Sequence, residues 1–174
     1  SPEAKYTDIF RWFLGGWMRY LPDFMVFYAP TINSYKRFAL GSWAPNNLTW
    51  SMDNRTSAFR VVGDKSSRRL EFRIPGADCN PYLLYTAILA SGIYGIENQI
   101  EPGDESKGNC YAVNDKGFPK TLKEALDAFI HSDFIEDVLG KDVKKHYATF
   151  YSEELSAFSQ AVTDWEVKRY FEQI

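Results

Sequence analysis

The chain has 174 residues, of which 45% are hydrophobic, and a formal net charge of -3. This length and composition fit a globular domain or a large part of one, and they exclude a disordered chain. The 20 Lys and Arg residues are offset by 23 Asp and Glu, so no overall basicity indicates a nucleic-acid partner. The uncharged stretch over residues 24–35 contains Pro30 and is shorter than a bilayer span of about 20 residues. We therefore expect neither a nucleic-acid nor a membrane partner.

The first predicted element is a helix over residues 6–20, because apolar side chains recur there at helical spacing. Gly15 and Gly16 lie in the middle of this segment, where each glycine costs about 1 kcal/mol in helix propensity. We interpret the pair as a point of close packing against another element. Residues 30–45 are rich in turn formers and are predicted to form an ordered loop with one short helical turn.

Two strands are predicted over residues 48–53 and 57–63, and a third begins at Arg69. Because side chains alternate between the faces of a strand, Arg69, Glu71 and Arg73 share one face, and the apolar side chains between them share the other. One interpretation is a solvated face with surface ion pairs, each stabilising by about 0 to 1 kcal/mol. The alternative is a site that holds a cation and an anion side by side. Strands grouped between helices predict an α+β fold.

A further helix is predicted after the third strand. Asn80 can cap it, Pro81 suits its first position, and residues 82–93 are apolar nearly all round. A helix that is apolar on every side is normally buried, so we expect this one to lie in the middle of a large structure. Residues 97–120 contain several Pro and Gly residues and are predicted to be irregular.

Two more helices are predicted in the C-terminal part. Thr121 and Glu124 have the spacing of a capping box, which opens a helix over residues 121–133. The last helix is predicted to begin near residue 153 and to place its apolar residues along one stripe. That stripe consists of Leu155, Phe158, Val162, Trp165, and Phe171 or Tyr170.

The cysteines and histidines do not have the spacing of a zinc site. Cys79 and Cys110 lie far apart without a CxxC motif, and the histidines are limited to His131 and His146. We expect both thiols to be reduced and structural, as is usual in a cytosolic protein. The chemistry of the chain is then expected to depend on its arginines and carboxylates.

Several arginines lie in or near the predicted strands, around a single carboxylate. Guanidinium groups match the oxygens of phosphates and carboxylates in a bidentate geometry. If the arginines converge on the carboxylate, they would suit an anionic, polyphosphate-like ligand together with a metal ion. Spacing alone leaves scattered surface arginines as the alternative. The residues concerned are Arg37, Arg55, Arg60, Arg69 and Arg73, with Glu71 as the carboxylate.

Three segments resemble one known family. They are "PTINSYKR" at residues 30–37, "RLEFRIPGADCNPYLLYTAILASGIYGI" at residues 69–96 and "VTDWEVKRYF" at residues 162–171. In order and spacing they resemble the C-terminal half of the glutamine synthetase catalytic domain, and the resemblance covers essentially the whole chain. It implies an α+β fold in which antiparallel strands form part of the catalytic-domain sheet, flanked by helices.

The resemblance also implies a reaction. In this family ATP phosphorylates the side-chain carboxylate of glutamate, and ammonia displaces the phosphate from the resulting γ-glutamyl phosphate. Two divalent cations, Mg²⁺ or Mn²⁺, bridge the reacting groups. The implied protein is a cytoplasmic homo-oligomer that acts in nitrogen metabolism and glutamine biosynthesis as a glutamate-ammonia ligase.

The family's site residues can be assigned one at a time to matching positions here. Glu71 resembles a metal-binding glutamate, and Arg55 resembles a catalytic arginine at the transferring phosphoryl group, where it also contacts ATP. The resemblance assigns glutamate binding to Arg37 and Arg73, and ATP binding to Arg60 and Arg69 in addition to Arg55.

The sequence departs from the family pattern at two positions. Trp43 occupies the place of a flap glutamate that closes the site and deprotonates ammonium, and it is similar to the aromatic residue of γ-glutamylpolyamine synthetase-type relatives. We therefore keep Trp43 as a catalytic-site residue and expect either ammonia or a larger primary amine as the substrate. Ser66 occupies the place of a basic residue near the nucleotide, and the adjacent Lys65 is a candidate to replace it.

A third departure concerns the family's other parts. The N-terminal β-grasp domain and the first catalytic half, with its Glu-x-Glu strand and metal-binding histidine, have no counterpart in residues 1–174. We expect these residues to be the C-terminal part of the catalytic domain and to be inactive alone, because one carboxylate cannot hold two Mg²⁺ ions. The alternative is a non-catalytic structural or interaction relative, which the retained arginines and Glu71 disfavour.

Overall fold

The computed structural model describes residues 6–39, 41–113 and 117–173. In these ranges a three-stranded sheet is flanked by helices, which confirms the predicted α+β class. Two short 3-10 turns complete the regular structure there. The helices and strands in chain order are α1 (Asp8–Tyr20), α2 (Met25–Tyr28), α3 (Ile32–Lys36), β1 (Trp50–Met52), β2 (Phe59–Val62), β3 (Arg69–Phe72), α4 (Pro81–Glu97), α5 (Leu122–His131), α6 (Asp133–Leu139), α7 (Lys141–Gln160) and α8 (Asp164–Tyr170).

The sheet has the order β1-β2-β3. Strands β2 and β3 are antiparallel, as expected, and their register places Arg60 opposite Glu71. The expectation of antiparallel strands is wrong for the other pair, because β1 and β2 run parallel. Residues 53–58 connect the two strands and bring the chain back so that β2 runs in the same direction as β1. The connection starts at Asp53, whose φ is 46°. Sequence patterns indicate where strands lie, but they do not indicate the path of a short connection and therefore not the relative direction of the strands it joins.

The apolar face of the sheet packs on α1. The ring of Phe72 stacks on that of Phe59 with 4.9 Å between centroids, and Trp17 of α1 lies 4.7 Å from Phe72 and 5.0 Å from Phe59. Ile74, just after β3, is fully buried. Because this face of β3 enters the core, the alternate residues of the strand point away from it.

Close packing of α1 against α4 explains the two central glycines of α1. A Cβ atom on Gly16 would lie 2.3 Å from the backbone oxygen of Ser91 and 2.4 Å from the Cα of Gly95. A Cβ on Gly15 would lie 1.9 Å from the backbone oxygen of Ile100. The prediction of close packing at these glycines is confirmed.

Helix α4 begins as predicted, because the Asn80 side chain accepts a hydrogen bond from the Tyr82 backbone at 2.9 Å. The described residues bury only part of it, and its burial in a larger structure stays a prediction. The face toward α1 is buried, but Tyr82 is 82% exposed and Leu89 is 53% exposed. No element in the described ranges covers this outer face, so composition indicated burial that the described residues do not provide.

The C-terminal helices differ from the predictions at their boundaries. The Thr121 side chain accepts from the Glu124 backbone at 3.1 Å, but the Glu124 carboxylate accepts from Lys120 and not from Thr121, so the capping box is incomplete. The helix expected from residue 153 begins instead at Lys141. It ends at Gln160, and a new helix, α8, follows behind its own capping box.

The predicted apolar stripe of the last helix is therefore divided between two helices and is mostly exposed. Phe158 is 44% exposed, Trp165 is 63% exposed and Phe171 is 79% exposed. Within the described ranges, no helix combines the length and the apolar character needed to cross a membrane.

Candidate active site

Glu71 lies at the centre of an ion-pair network on the outward face of β3. Its Oε2 is 3.1 Å from Nη1 of Arg60, and its Oε1 is 3.3 Å from Nε of Arg73. The antiparallel register accounts for the first pair, and the alternation along β3 accounts for the second. The face that the sequence analysis singled out therefore holds cations and an anion side by side.

The Arg73 guanidinium joins three separate segments. It donates to the backbone oxygen of Ser57 at 3.2 Å, to that of Trp43 at 3.0 Å and to that of Arg55. Its side chain is 15% exposed. Arg73 thus fixes both the loop at Trp43 and the β1–β2 connection to the strand that contains Glu71.

A cleft of about 320 Å³ lies on one side of Glu71 and is called the Arg37 cleft here. Its lining includes Arg37, Trp43, Glu71 and Arg73. Arg37 follows α3 and donates to the backbone oxygens of Pro75, at 3.2 Å, and Ile74. Burial lowers the pKa of the Arg37 guanidinium. Because its hydrogen-bond partners are neutral carbonyl groups, they leave the positive charge available to an anionic ligand.

A more open groove of about 730 Å³ lies on the other side and is called the Arg55 groove. Arg55 and Arg60 contribute to its lining, together with Asp53, Glu105 and Lys107. Arg60 donates to Asp53 as well as to Glu71, and the hydrogen bond to Asp53 raises the pKa of Arg60. Glu71 is therefore linked through Arg60 to the groove and through Arg73 to the cleft.

Trp43 lies at the edge of the Arg37 cleft. Its side chain is 75% exposed, and its φ of 63° is in the left-handed region, which bulky residues rarely adopt. The backbone oxygen that accepts from Arg73 belongs to this same residue. The indole is thus available to a ligand in the cleft, while the backbone of Trp43 is held by its hydrogen bond from Arg73.

Arg69 is the one predicted site residue that neither cavity includes in the described residues. It lies at the start of β3, is exposed, and donates from Nη1 to the backbone oxygen of Ser67 at 3.4 Å. The expected convergence of all the arginines is therefore incomplete. Four of the five line the two cavities beside Glu71: Arg37, Arg55, Arg60 and Arg73.

Glu71, the carboxylate at the centre of the site, is suited to bind a divalent cation. Glu71 is 41% exposed, and each of its oxygens has lone pairs beyond those that face the arginines. The described ranges contain no group of three or more His, Cys, Asp or Glu side chains that could hold a metal ion. Glu71 therefore fits as one oxygen ligand, and the described residues alone do not form a complete magnesium site.

Two aspartates with structural roles at the site were not found by sequence reasoning. Asp53 pairs with Arg60 at the end of β1, and Asp78 accepts hydrogen bonds from Ser34 at 2.5 Å and Thr31 at 3.3 Å. Asp78 thereby ties the start of α3 to the loop after β3, which places Arg37 over the cleft. Thr31 has the residue type of a helix cap, which the sequence analysis did not use, and no local pattern indicates its distant partner Asp78.

One family description covers nearly the whole chain. The family model of the glutamine synthetase catalytic domain matches residues 1–170. The chain belongs to the glutamine synthetase family. Its three segments of resemblance are therefore family segments, and the face of β3 that bears Glu71 is part of a glutamine synthetase-type catalytic domain.

The relatives within this family include proteins named for different amines. A γ-glutamylethanolamide synthetase of Streptomyces coelicolor is 44% identical over 168 residues, which are 97% of this chain and 36% of that protein. A type-1 glutamine synthetase of Dictyostelium discoideum is 39% identical over 179 residues, covering 100% of this chain and 34% of that protein. The chain thus spans about a third of the length of these curated relatives.

A solved structure supports the fold. The chain superposes on GmaS in a complex with ADP with a TM-score of 0.85 at 30% identity, covering 98% of this chain and 41% of that one. The α+β arrangement described above is therefore the arrangement of a glutamine synthetase relative.

Proposed function

We propose that the protein containing this chain is an ATP-dependent ligase that joins glutamate to ammonia or a primary amine through γ-glutamyl phosphate. The observation that supports this most directly is Glu71, held between an arginine of the cleft and an arginine of the groove. Residues 1–174 are, in this proposal, the C-terminal part of the catalytic domain, with the β-grasp domain and the first catalytic half supplied elsewhere.

The Arg37 cleft is proposed to bind glutamate. Arg37 and Arg73 face the cleft, and both donate to backbone carbonyl groups that hold the guanidinium planes in place. A preorganised guanidinium binds a carboxylate with little further loss of side-chain freedom. The cleft therefore suits an amino acid with carboxylate groups.

The Arg55 groove is proposed to bind the phosphates of ATP. Phosphoryl transfer passes through a loose transition state whose negative charge must be neutralised by fixed cations. Arg55 is exposed at the groove and is assigned to the transferring phosphoryl group, with Arg60 beside it. Arg69 is proposed to contact ATP at its outer end. A relative of the same fold was solved in a complex with ADP, which supports nucleotide binding by the whole protein.

Glu71 is proposed to provide one oxygen ligand to Mg²⁺ or Mn²⁺. A bound divalent cation supplies positive charge at the phosphoryl oxygens. Glu71 itself orients Arg60 and Arg73 through its two ion pairs. This residue thus aligns the amino-acid side of the site with the nucleotide side.

Trp43 is proposed to face the incoming amine. An indole cannot remove a proton from ammonium, but its π face attracts an organic cation and its apolar surface packs against an alkyl chain. The exposed side chain at the edge of the cleft supports this role. A larger primary amine is therefore our preferred substrate, with ammonia as the alternative.

The remaining family expectations are also proposals. We propose a homo-oligomer in the cytoplasm with a role in nitrogen metabolism, and neither a nucleic-acid nor a membrane partner. Cys79 and Cys110 are both free thiols, which is consistent with a reducing compartment.

The test is an assay of the whole protein with ATP, glutamate, Mg²⁺ and either ammonium or ethanolamine. We expect ADP release and γ-glutamyl amide formation that depend on all the components. We expect residues 1–174 alone to form neither ADP nor γ-glutamyl hydroxamate, because their metal ligands are incomplete. If the whole protein released no ADP and formed no γ-glutamyl amide, the result would instead support a non-catalytic relative.

A further inference from the structure

The two residues that flank Arg55 in the β1–β2 connection are hydrogen-bonded to each other. Oδ1 of Asn54 accepts from the Thr56 hydroxyl at 2.7 Å and from the Thr56 backbone N–H at 2.9 Å. An asparagine that accepts from the backbone two residues further on forms an Asx turn, which fixes the path of the chain between the two residues. The backbone oxygen of Arg55 also accepts from Arg73. The backbone of Arg55 is thus held on both sides, while its exposed side chain lines the Arg55 groove.

The same two side chains join the β1–β2 connection to a distant part of the chain. Nδ2 of Asn54 donates to the backbone oxygen of Gly108 at 2.7 Å, and the Thr56 hydroxyl accepts from the backbone N–H of Cys110 at 2.9 Å. The Thr56 hydroxyl therefore acts as a donor and an acceptor at once, which a threonine hydroxyl can do. Asn54 and Thr56 are both half-buried. The position of the Arg55 backbone consequently depends on contacts with residues more than 50 positions away.

Residues 105–108, which lead to these contacts, form one wall of the Arg55 groove and are bound to β1. The Ser51 hydroxyl donates to the backbone oxygen of Ser106 at 2.7 Å. The Glu105 carboxylate accepts from the backbone N–H of Met52 at 2.8 Å. The structure that supports Arg55 is therefore attached to the same sheet that contains Glu71.

We propose that Asn54 and Thr56 are positioning residues that hold Arg55 at the transferring phosphoryl group. This inference rests on the proposed ligase function, which assigns that place to Arg55. The Asn54 amide already binds Thr56 and Gly108, so it acts through the arginine and not as a ligand of the substrate. The arginine side chain is long and flexible, so the reach of its guanidinium group is set by where its backbone is held. A misplacement of about 1 Å can reduce a rate about 100-fold.

The first test compares two substitutions of Thr56 in the whole protein. Thr56→Val keeps the shape of the side chain but removes the hydroxyl, whereas Thr56→Ser keeps the hydroxyl. We expect Thr56→Val to lower the turnover, measured as ADP release, by about 10- to 100-fold, and to leave the KM for glutamate unchanged. Thr56→Ser should stay within about threefold of the unaltered protein, because it can make the same hydrogen bonds. Equal turnover of the two variants would overturn the proposal.

A double-mutant cycle separates positioning from a general loss of stability. In an Arg55→Ala background, Thr56→Val should cause no further loss of turnover, because the side chain through which it acts is missing. A full additional loss would show that Thr56 acts elsewhere and would contradict the proposal. Thr121→Val is the matched control, since it removes a hydroxyl that accepts from the Glu124 backbone at 3.1 Å, outside both cavities. It should lower the thermal midpoint and leave the turnover near that of the unaltered protein.

The second test needs no turnover. Trypsin cuts after arginine, and it can cut after Arg55 only when the β1–β2 connection opens locally. We expect this cleavage, identified by the masses of the fragments, to be about tenfold faster in Thr56→Val than in Thr56→Ser, and Thr121→Val should not accelerate it. Equal cleavage of the two Thr56 variants would overturn the positioning role. An unaltered protein that released no ADP would instead contradict the ligase function, so the two failures are distinguishable.

Discussion

The two cavities beside Glu71 differ in how their arginines are held. In the Arg37 cleft, Arg37 donates to backbone carbonyls, and Arg73 donates to carbonyls and forms an ion pair with Glu71. In the Arg55 groove, Arg60 lies between the two carboxylates of Asp53 and Glu71. The neutral partners of Arg37 fix its guanidinium group without cancelling its charge, and Arg73 shares Glu71 with Arg60, whereas two carboxylates largely cancel the charge of Arg60.

This difference predicts a division of roles. The cleft keeps positive charge in fixed positions, which suits a small anion that must be oriented accurately. In the groove, the charge available to a ligand comes mainly from Arg55 and Lys107, because Arg60 is paired with carboxylates. The groove therefore suits a flexible polyphosphate whose position is also set by metal ions.

Glu71 lines the cleft and pairs with Arg60 of the groove, so its substitution should have the largest effect. Glu71→Gln removes the negative charge that aligns Arg60 and Arg73 and also removes the proposed metal ligand. We expect turnover of the whole protein to fall by roughly a thousandfold or more, with an unchanged circular dichroism spectrum. The measurement is steady-state ADP release.

Glu101→Gln is the matched control for this change. Glu101 also pairs with an arginine, at 3.1 Å from Arg11, and its side chain is 49% exposed against 41% for Glu71. Glu101 lies outside both cavities, so the turnover of the Glu101→Gln variant should stay near that of the unaltered protein. Near-normal activity of Glu71→Gln would contradict the metal and alignment roles together.

The next largest effect should come from arginines of the cleft. Arg37→Lys and Arg73→Lys keep the charge but lose the planar fork, so the KM for glutamate should rise by about 10- to 100-fold and far more than the KM for ATP. Arg55→Lys in the groove should show the opposite pattern. Equal increases in both KM values for all three variants would contradict the division between cleft and groove.

Trp43 tests whether the edge of the cleft selects the amine. A cation-π contact of about 0.5 to 2 kcal/mol corresponds to about a 2- to 30-fold preference for an organic ammonium. In Trp43→Glu, the ratio of kcat/KM for ethanolamine to that for ammonium should fall by this factor. Trp165→Glu is a control at another exposed tryptophan, on α8. If ammonium proves the best substrate of the unaltered protein, the preference for larger amines is wrong.

Sequence patterns predicted the part of the site that follows from alternation along one strand. Arg69, Glu71 and Arg73 share a face because strand periodicity is local, and the structure confirms that face. The pairing of Glu71 with Arg60 depends on the register between β2 and β3, and the bond from Arg73 to Trp43 depends on a loop with a left-handed residue. Neither long-range fact is expressed in a local pattern, so neither was predicted.

The helices show the same limit. Asn80 and Pro81 are strong local signals, and α4 begins where they predict. Helix α7 begins at Lys141, and the residue before it, Gly140, has a φ of 77° and no side chain that could cap the helix, so no polar residue marked this start in the sequence. The burial of α4 was inferred from composition, but burial depends on which other elements cover the helix, and composition does not specify them.

The smallest effect should come from Asp53, the exposed partner of Arg60 in the groove. Its side chain is 69% exposed, and exposed ion pairs contribute about 0 to 1 kcal/mol, so Asp53→Asn should change kinetic constants by no more than about fivefold. Because the substitution removes negative charge from the groove, the direction should be a lower KM for ATP with an unchanged KM for glutamate, and the effect should shrink as salt is added. Asp64→Asn is the matched control, since Asp64 is 77% exposed and pairs with Arg68 at 3.1 Å outside the groove. A loss of turnover as large as that of Glu71→Gln would mean that Asp53 is required to hold Arg60 in place. The acidic partners of the groove would then be as important as the neutral partners of the cleft, and the proposed difference between the two cavities would be wrong.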